Sequence, residues 1–253
     1  MKTRLHPGFS ALLEVGLLFL PSIPAYLWMW PYVEGMAAWI VQCLVYLYVL
    51  AGTLFIGRRR WSWGELGLNR QGIGFSLACG AVLIAARLLI LLSIQWKVQP
   101  PALTLLSVLR DLLYYFGLVG LVEELLFRGL VYQALEDWRG VRWAIWGSSI
   151  GFLLWHIFGQ GPLGGLGGLI IGLIFALIRW RAGGISGLIA VHALADLETV
   201  WLVADSNAVI LGQGRPLVTS LPLMLAGLAL LVLLPLYLWR LHPWLARSFA
   251  KER

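Results

Sequence analysis

Long apolar runs separated by short, Arg-rich joints set the pattern of this chain. Eight runs stand out, at roughly residues 9–30, 36–56, 72–94, 112–135, 143–158, 163–180, 184–204 and 219–239. Most approach the ~20 residues that a helix needs to cross a bilayer. The fifth and sixth are short, and the first carries Pro21 and Pro24, which predict a kink. Trp28, Trp30, Trp61, Trp63, Trp143 and Trp180 gather near run ends, as an aromatic belt does. The pattern predicts an all-α, polytopic transmembrane helix bundle of about eight spanning helices. No internal repeat is visible, and no linker is long enough to separate domains, so residues 1–253 are expected to form a single integral membrane domain. The basic start, Met1 to His6, precedes a run too long for a signal peptide's apolar region and is expected to be retained.

Composition sharpens this picture. The chain is 60% hydrophobic and 12% charged, about half the charge of a soluble domain. Its net charge of +7 does not point to nucleic acid, because the Lys and Arg sit at the ends of apolar runs. There they control topology and meet anionic lipid. Fourteen of the 19 fall on one side of the eight-span arrangement, among them Arg58, Arg59, Arg60, Arg139, Arg181 and Arg240. Three fall on the other side: Lys97, Arg110 and Arg215. This asymmetry predicts that both termini are cytoplasmic. Cys43 and Cys79, the two cysteines, lie inside apolar runs and read as small buried hydrophobes.

Ionisable groups inside a span are costly and usually face a partner or a wet cavity. Run four holds Glu123, Glu124 and Arg128, run five His156, and run seven His192 and Asp196, with Glu198 beyond. Their depths can be compared at about 1.5 Å per residue. Measured from the nearest Arg flank, Glu123 is roughly 24 Å in, His156 roughly 21 Å, His192 roughly 16 Å and Asp196 roughly 22 Å. Four groups on three helices share one layer. Glu124 and Arg128 stand i, i+4 and are expected to pair. Glu123, turned about 100° away, needs a partner on another helix, His156 first. His192 and Asp196 also share a face, and Phe152 lies one turn before His156.

These residues form three motifs in order: Glu123-Glu124-x-x-x-Arg128, Phe152-x-x-x-His156 and His192-x-x-x-Asp196. On successive membrane helices they resemble the CPBP family of intramembrane endopeptidases, which includes the CAAX prenyl proteases and the bacterial Abi and bacteriocin-immunity proteins. The resemblance covers about residues 100–205. The prenyl proteases often carry Asn at the last position, where this chain has Asp196. The resemblance implies a peptidase with Glu123, Glu124, His156, His192 and Asp196 in its site, Arg128 and Phe152 supporting them. His192 and Asp196 would position or stabilise the oxyanion. It also implies a peptide or protein substrate at the membrane, C-terminal or lipidated, in a prokaryotic cell membrane.

Peptide hydrolysis without a nucleophilic Ser or Cys needs an activated water, oxyanion donors and a proton relay. Glu123 as general base with His156 as partner would supply the first. Zinc is the competing arrangement: His156, His192 and Glu123 are donors it accepts. The chain lacks His-Glu-x-x-His, which tilts the expectation toward a metal-free water without deciding it. Two other classes stay open: a proton-coupled transporter, which also places such groups at mid-membrane, and a non-catalytic immunity or partner protein. Gly164, Gly168 and Gly172 predict a close helix-packing face. Arg87 is expected to snorkel or pair, and His6 and His242 need no function.

Overall fold

The computed structural model describes residues 5–21, 35–93, 104–202 and 220–240. Among these, every regular element is helical. The helices are α1 (Pro7–Phe19), α2 (Gly35–Arg58), α3 (Ile73–Ser93), α4 (Leu105–Arg139), α5 (Val141–Ala182), α6 (Ser186–Leu202) and α7 (Leu221–Arg240). Five of them, α2, α3, α4, α5 and α7, are long and apolar enough to cross a membrane. The second half of the predicted first span lies outside the described residues, as do Lys97, Arg215 and His242.

Helix α5 corresponds to two predicted runs. Its 42 residues are broken at Gly161, whose φ of 71° and ψ of −174° are not helical, and Pro162 follows. The positive φ suits a residue without Cβ, and Pro162 cannot continue the hydrogen-bond ladder. The chain turns back there. A Cβ on Gly165 would meet Ile157 at 2.2 Å, one on Gly168 would meet His156 at 3.2 Å, and one on Gly172 would meet the Ser149 backbone at 3.2 Å. Two antiparallel arms, 141–160 and 162–182, therefore pack through glycines. Gly165 takes the place expected of Gly164, whose Cβ would face Gln160 at the corner.

Helix α4 is the axis of the bundle. Residues 122–132 are all buried, the mark of a helix enclosed on every side. It packs against α1, α2, both arms of α5, and α6. It starts with a capping box in which Thr104 accepts from the Ser107 N–H and Ser107 from the Thr104 N–H. At 35 residues it is about 52 Å long, beyond the ~30 Å of the hydrocarbon core. Two π-helical stretches, Tyr115–Gly120 and Leu125–Val131, flank a four-residue α segment, Leu121–Glu124. Such bulges in α-helices are frequent at functional sites.

The Arg-rich helix ends gather at one end of the bundle. Glu14 of α1 pairs with Arg59 and Arg60 after α2. Phe9 stacks on Trp138 near the end of α4 at 4.8 Å. Arg181 at the end of α5 donates to the Leu238 carbonyl of α7 at 2.7 Å. At the other end, Ser220 N–H donates to the Ser93 carbonyl, joining the start of α7 to the end of α3.

Candidate active site

The short α segment of α4 presents two adjacent glutamates to different neighbours. Glu124 accepts from Arg128 Nη1 at 3.1 Å, an i, i+4 pair in which neither side chain has any solvent exposure. Arg128 also donates to the Gly172 carbonyl at 3.3 Å. Its guanidinium lies over the Phe152 ring at 4.1 Å and the Phe175 ring at 5.3 Å. A buried cation needs this many partners to offset its lost hydration. The same Glu124 oxygen accepts from His192 Nδ1 at 2.7 Å, from α6.

Glu123 points the other way. Its Oε1 accepts from the Tyr46 hydroxyl at 2.6 Å and from Trp155 Nε1 at 2.9 Å. Its Oε2 is buried, has no hydrogen-bond partner among the described residues, and faces His192 Nε2 at 3.7 Å and His156 Nε2 at 4.0 Å. His192 Nε2 is also 3.6 Å from Asp196 Oδ2. These separations exceed direct hydrogen-bond distance but suit groups bridged by one water.

Second contacts fix the histidine tautomers. A carbonyl only accepts, so His156 Nδ1, 2.9 Å from the Phe152 carbonyl, carries hydrogen. In neutral His156, Nε2 is then a lone pair facing Glu123. An ionised Glu124 likewise requires hydrogen on His192 Nδ1. Phe152 holds both rings, at 4.3 Å from His156 and 5.9 Å from His192. Glu123, His156, His192 and Asp196 are thus brought together as the shared depth predicted, although His192 comes nearer to Glu123 than His156 does.

Sequence reasoning missed Tyr46 and Trp155. Tyr46 lies 12 residues before Arg58, about 18 Å in, within the layer the charged groups share. The depth comparison would have found it had it included phenols. Arg87 is paired: it meets Glu198 at 3.0 Å and donates to the Ala195 carbonyl at 3.1 Å and to Thr199 Oγ1. It thereby ties α3 to α6 around Asp196. Among the described residues no three His, Cys, Asp or Glu side chains are placed to hold a metal ion together.

The site thus sets one carboxylate, Glu123, against two imidazoles inside a helical bundle. Residues 102–197 match the family model described as type II CAAX prenyl endopeptidase Rce1-like. This match covers under half of the chain, and all seven motif residues fall inside it. No curated protein and no solved structure matches the chain significantly. The chain is an integral membrane protein, and its central segment is similar to the CAAX-type prenyl endopeptidases.

Proposed function

We propose that this chain is an intramembrane endopeptidase in which Glu123 and His156 activate the attacking water. The observation that carries the reading is the asymmetry of Glu123: Oε1 is occupied by two donors while Oε2 is unpartnered and faces Nε2 of both histidines. A water at Oε2 and His156 Nε2 gives a proton to Glu123 as its oxygen bonds to the scissile carbonyl carbon. The carbonyl oxygen takes the negative charge. His192, when protonated on both nitrogens, donates from Nε2 toward that oxygen, with Asp196 setting the ring's polarity. Protonated Glu123 then delivers its proton to the leaving nitrogen, the C–N bond breaks, and an acid and an amine depart. Glu124 orients His192 through Nδ1 and is neutralised by Arg128.

Similarity to the type II CAAX prenyl endopeptidases supports a C-terminal, prenylated peptide as substrate. The charge asymmetry supports eight spans with both termini in the cytoplasm. The test is cleavage of a prenylated CAAX peptide by purified protein in detergent. Wild type should cleave and Glu123→Gln should not. Equal cleavage by both would remove Glu123 as the base, and no cleavage by wild type would turn the reading toward the transporter or the non-catalytic partner.

A further inference from the structure

We infer that Tyr46 and Trp155 are positioning residues that divide the labour of the two Glu123 oxygens, an inference that rests on Glu123 being the base. Tyr46 stands on α2, outside the matched family segment at 102–197, so the site draws on the chain beyond its family core. The phenol of Tyr46 and the indole N–H of Trp155 both reach Oε1, at 2.6 and 2.9 Å. Neither reaches Oε2.

A carboxylate in an apolar layer could otherwise rotate and present either oxygen to either histidine. Two donors from two helices, α2 and the first arm of α5, fix its plane. Hydrogen bonds to an ionised acceptor are the stronger kind, and Oε1, so occupied, is the weaker base of the pair. Oε2 is left as the oxygen that takes the water's proton. The donors are themselves held. Tyr46 is buried, 7% exposed, and its ring meets Trp155 edge-on at 6.0 Å and Tyr114 at 6.3 Å. Trp155 further contacts Phe127 at 6.3 Å and Phe19 at 5.7 Å. Tyr46→Phe keeps the ring contacts and removes only the hydroxyl.

The experiment compares full-length wild type, Tyr46→Phe, Trp155→Phe, the double variant and Glu123→Gln in detergent. It measures kcat, KM, melting temperature and the infrared carboxylate bands that vanish in Glu123→Gln. Each single variant should lose roughly ten- to hundredfold in kcat, the factor for one hydrogen bond to a charged group. The double should lose more, with KM and melting near wild type and the Glu123 bands displaced. Trp155→Phe decides the matter should Tyr46→Phe fail to fold. Wild-type kcat in the variants beside an inactive Glu123→Gln overturns this inference alone. So does a fall in melting temperature with undisplaced bands. An active Glu123→Gln overturns the underlying reading instead.

Discussion

His192 Nδ1 stands 2.7 Å from Glu124 Oε1, so the carboxylate that pairs with Arg128 inside α4 also fixes an imidazole of α6. One oxygen therefore serves the fold and the site together. An arginine with no solvent exposure at the centre of a bundle is tolerable because Glu124, the Gly172 carbonyl and two aromatic faces surround it. His192 gains its orientation from the same arrangement.

Glu124→Gln should therefore damage both properties. Breaking a buried ion pair by removing one partner costs about 3–5 kcal/mol, and a neutral amide oxygen, although it can still accept from Arg128 and His192, no longer balances the Arg128 charge or strengthens the bond to His192. The melting temperature should drop, and kcat should fall in the protein that survives. A variant that melts like wild type would show that Arg128 does not depend on this carboxylate.

His156→Ala should leave the amount of folded protein nearly unchanged, because among the described residues His156 has one direct hydrogen bond, to its own helix. Hydrolysis should fall by roughly 10²–10⁴-fold, the usual contribution of a general acid–base partner. Yield, melting and peptide cleavage measured side by side decide it; a cleavage rate near wild type removes His156 from the proposed mechanism.

Asp196→Asn and Asp196→Ala should separate. Asp196 Oδ2 is 3.6 Å from His192 Nε2, and an amide oxygen can occupy the same place. The Asn variant should retain most of the hydrolysis, while Ala, which offers no acceptor, should lose at least tenfold, about 1.4 kcal/mol in the barrier. Equal rates for the two variants would count against any role of this position toward His192.

Gly120 sets how closely α4 and α6 approach. A Cβ there would come within 2.9 Å of the Ile189 carbonyl oxygen, a backbone atom that cannot swing aside. Gly120→Ala should move α6 and with it His192, lowering both melting temperature and kcat. Gly117→Ala is the control, since a Cβ at Gly117 meets no atom of the described residues within 4 Å. If the two variants behave alike, the contact is not limiting.

Removal of metal should leave hydrolysis intact, because Glu123 and His156 are placed to activate water themselves. Elemental analysis and cleavage before and after chelation test this. Near-stoichiometric zinc, with activity lost on removal and regained on return, would replace the water-only mechanism.

Hydropathy alone determined that this chain is a bundle of membrane helices, because each residue that faces lipid must itself be apolar, which leaves long apolar runs in the sequence. It also located the break between the arms of α5, where Gly161 and Pro162 interrupt the helix. Depth followed from counting along each helix, so the layer of Glu123, His156, His192 and Asp196 was legible before any contact was known. The i, i+4 pairs, Glu124 with Arg128 and His192 with Asp196, were legible for the same reason: helix geometry fixes them locally. Which helices touch is not local. The rotation of α2 that brings Tyr46 to Glu123, and the closeness of α4 and α6 that gives Glu124 a second partner in His192, depend on how side chains of distant segments interlock. Uncharged donors such as Tyr46 and Trp155 carry little hydropathic signal at their depth, because a phenol or an indole is at home in an apolar run. Only the packed tertiary structure showed that both hold the same oxygen of Glu123 and leave the other facing the histidines.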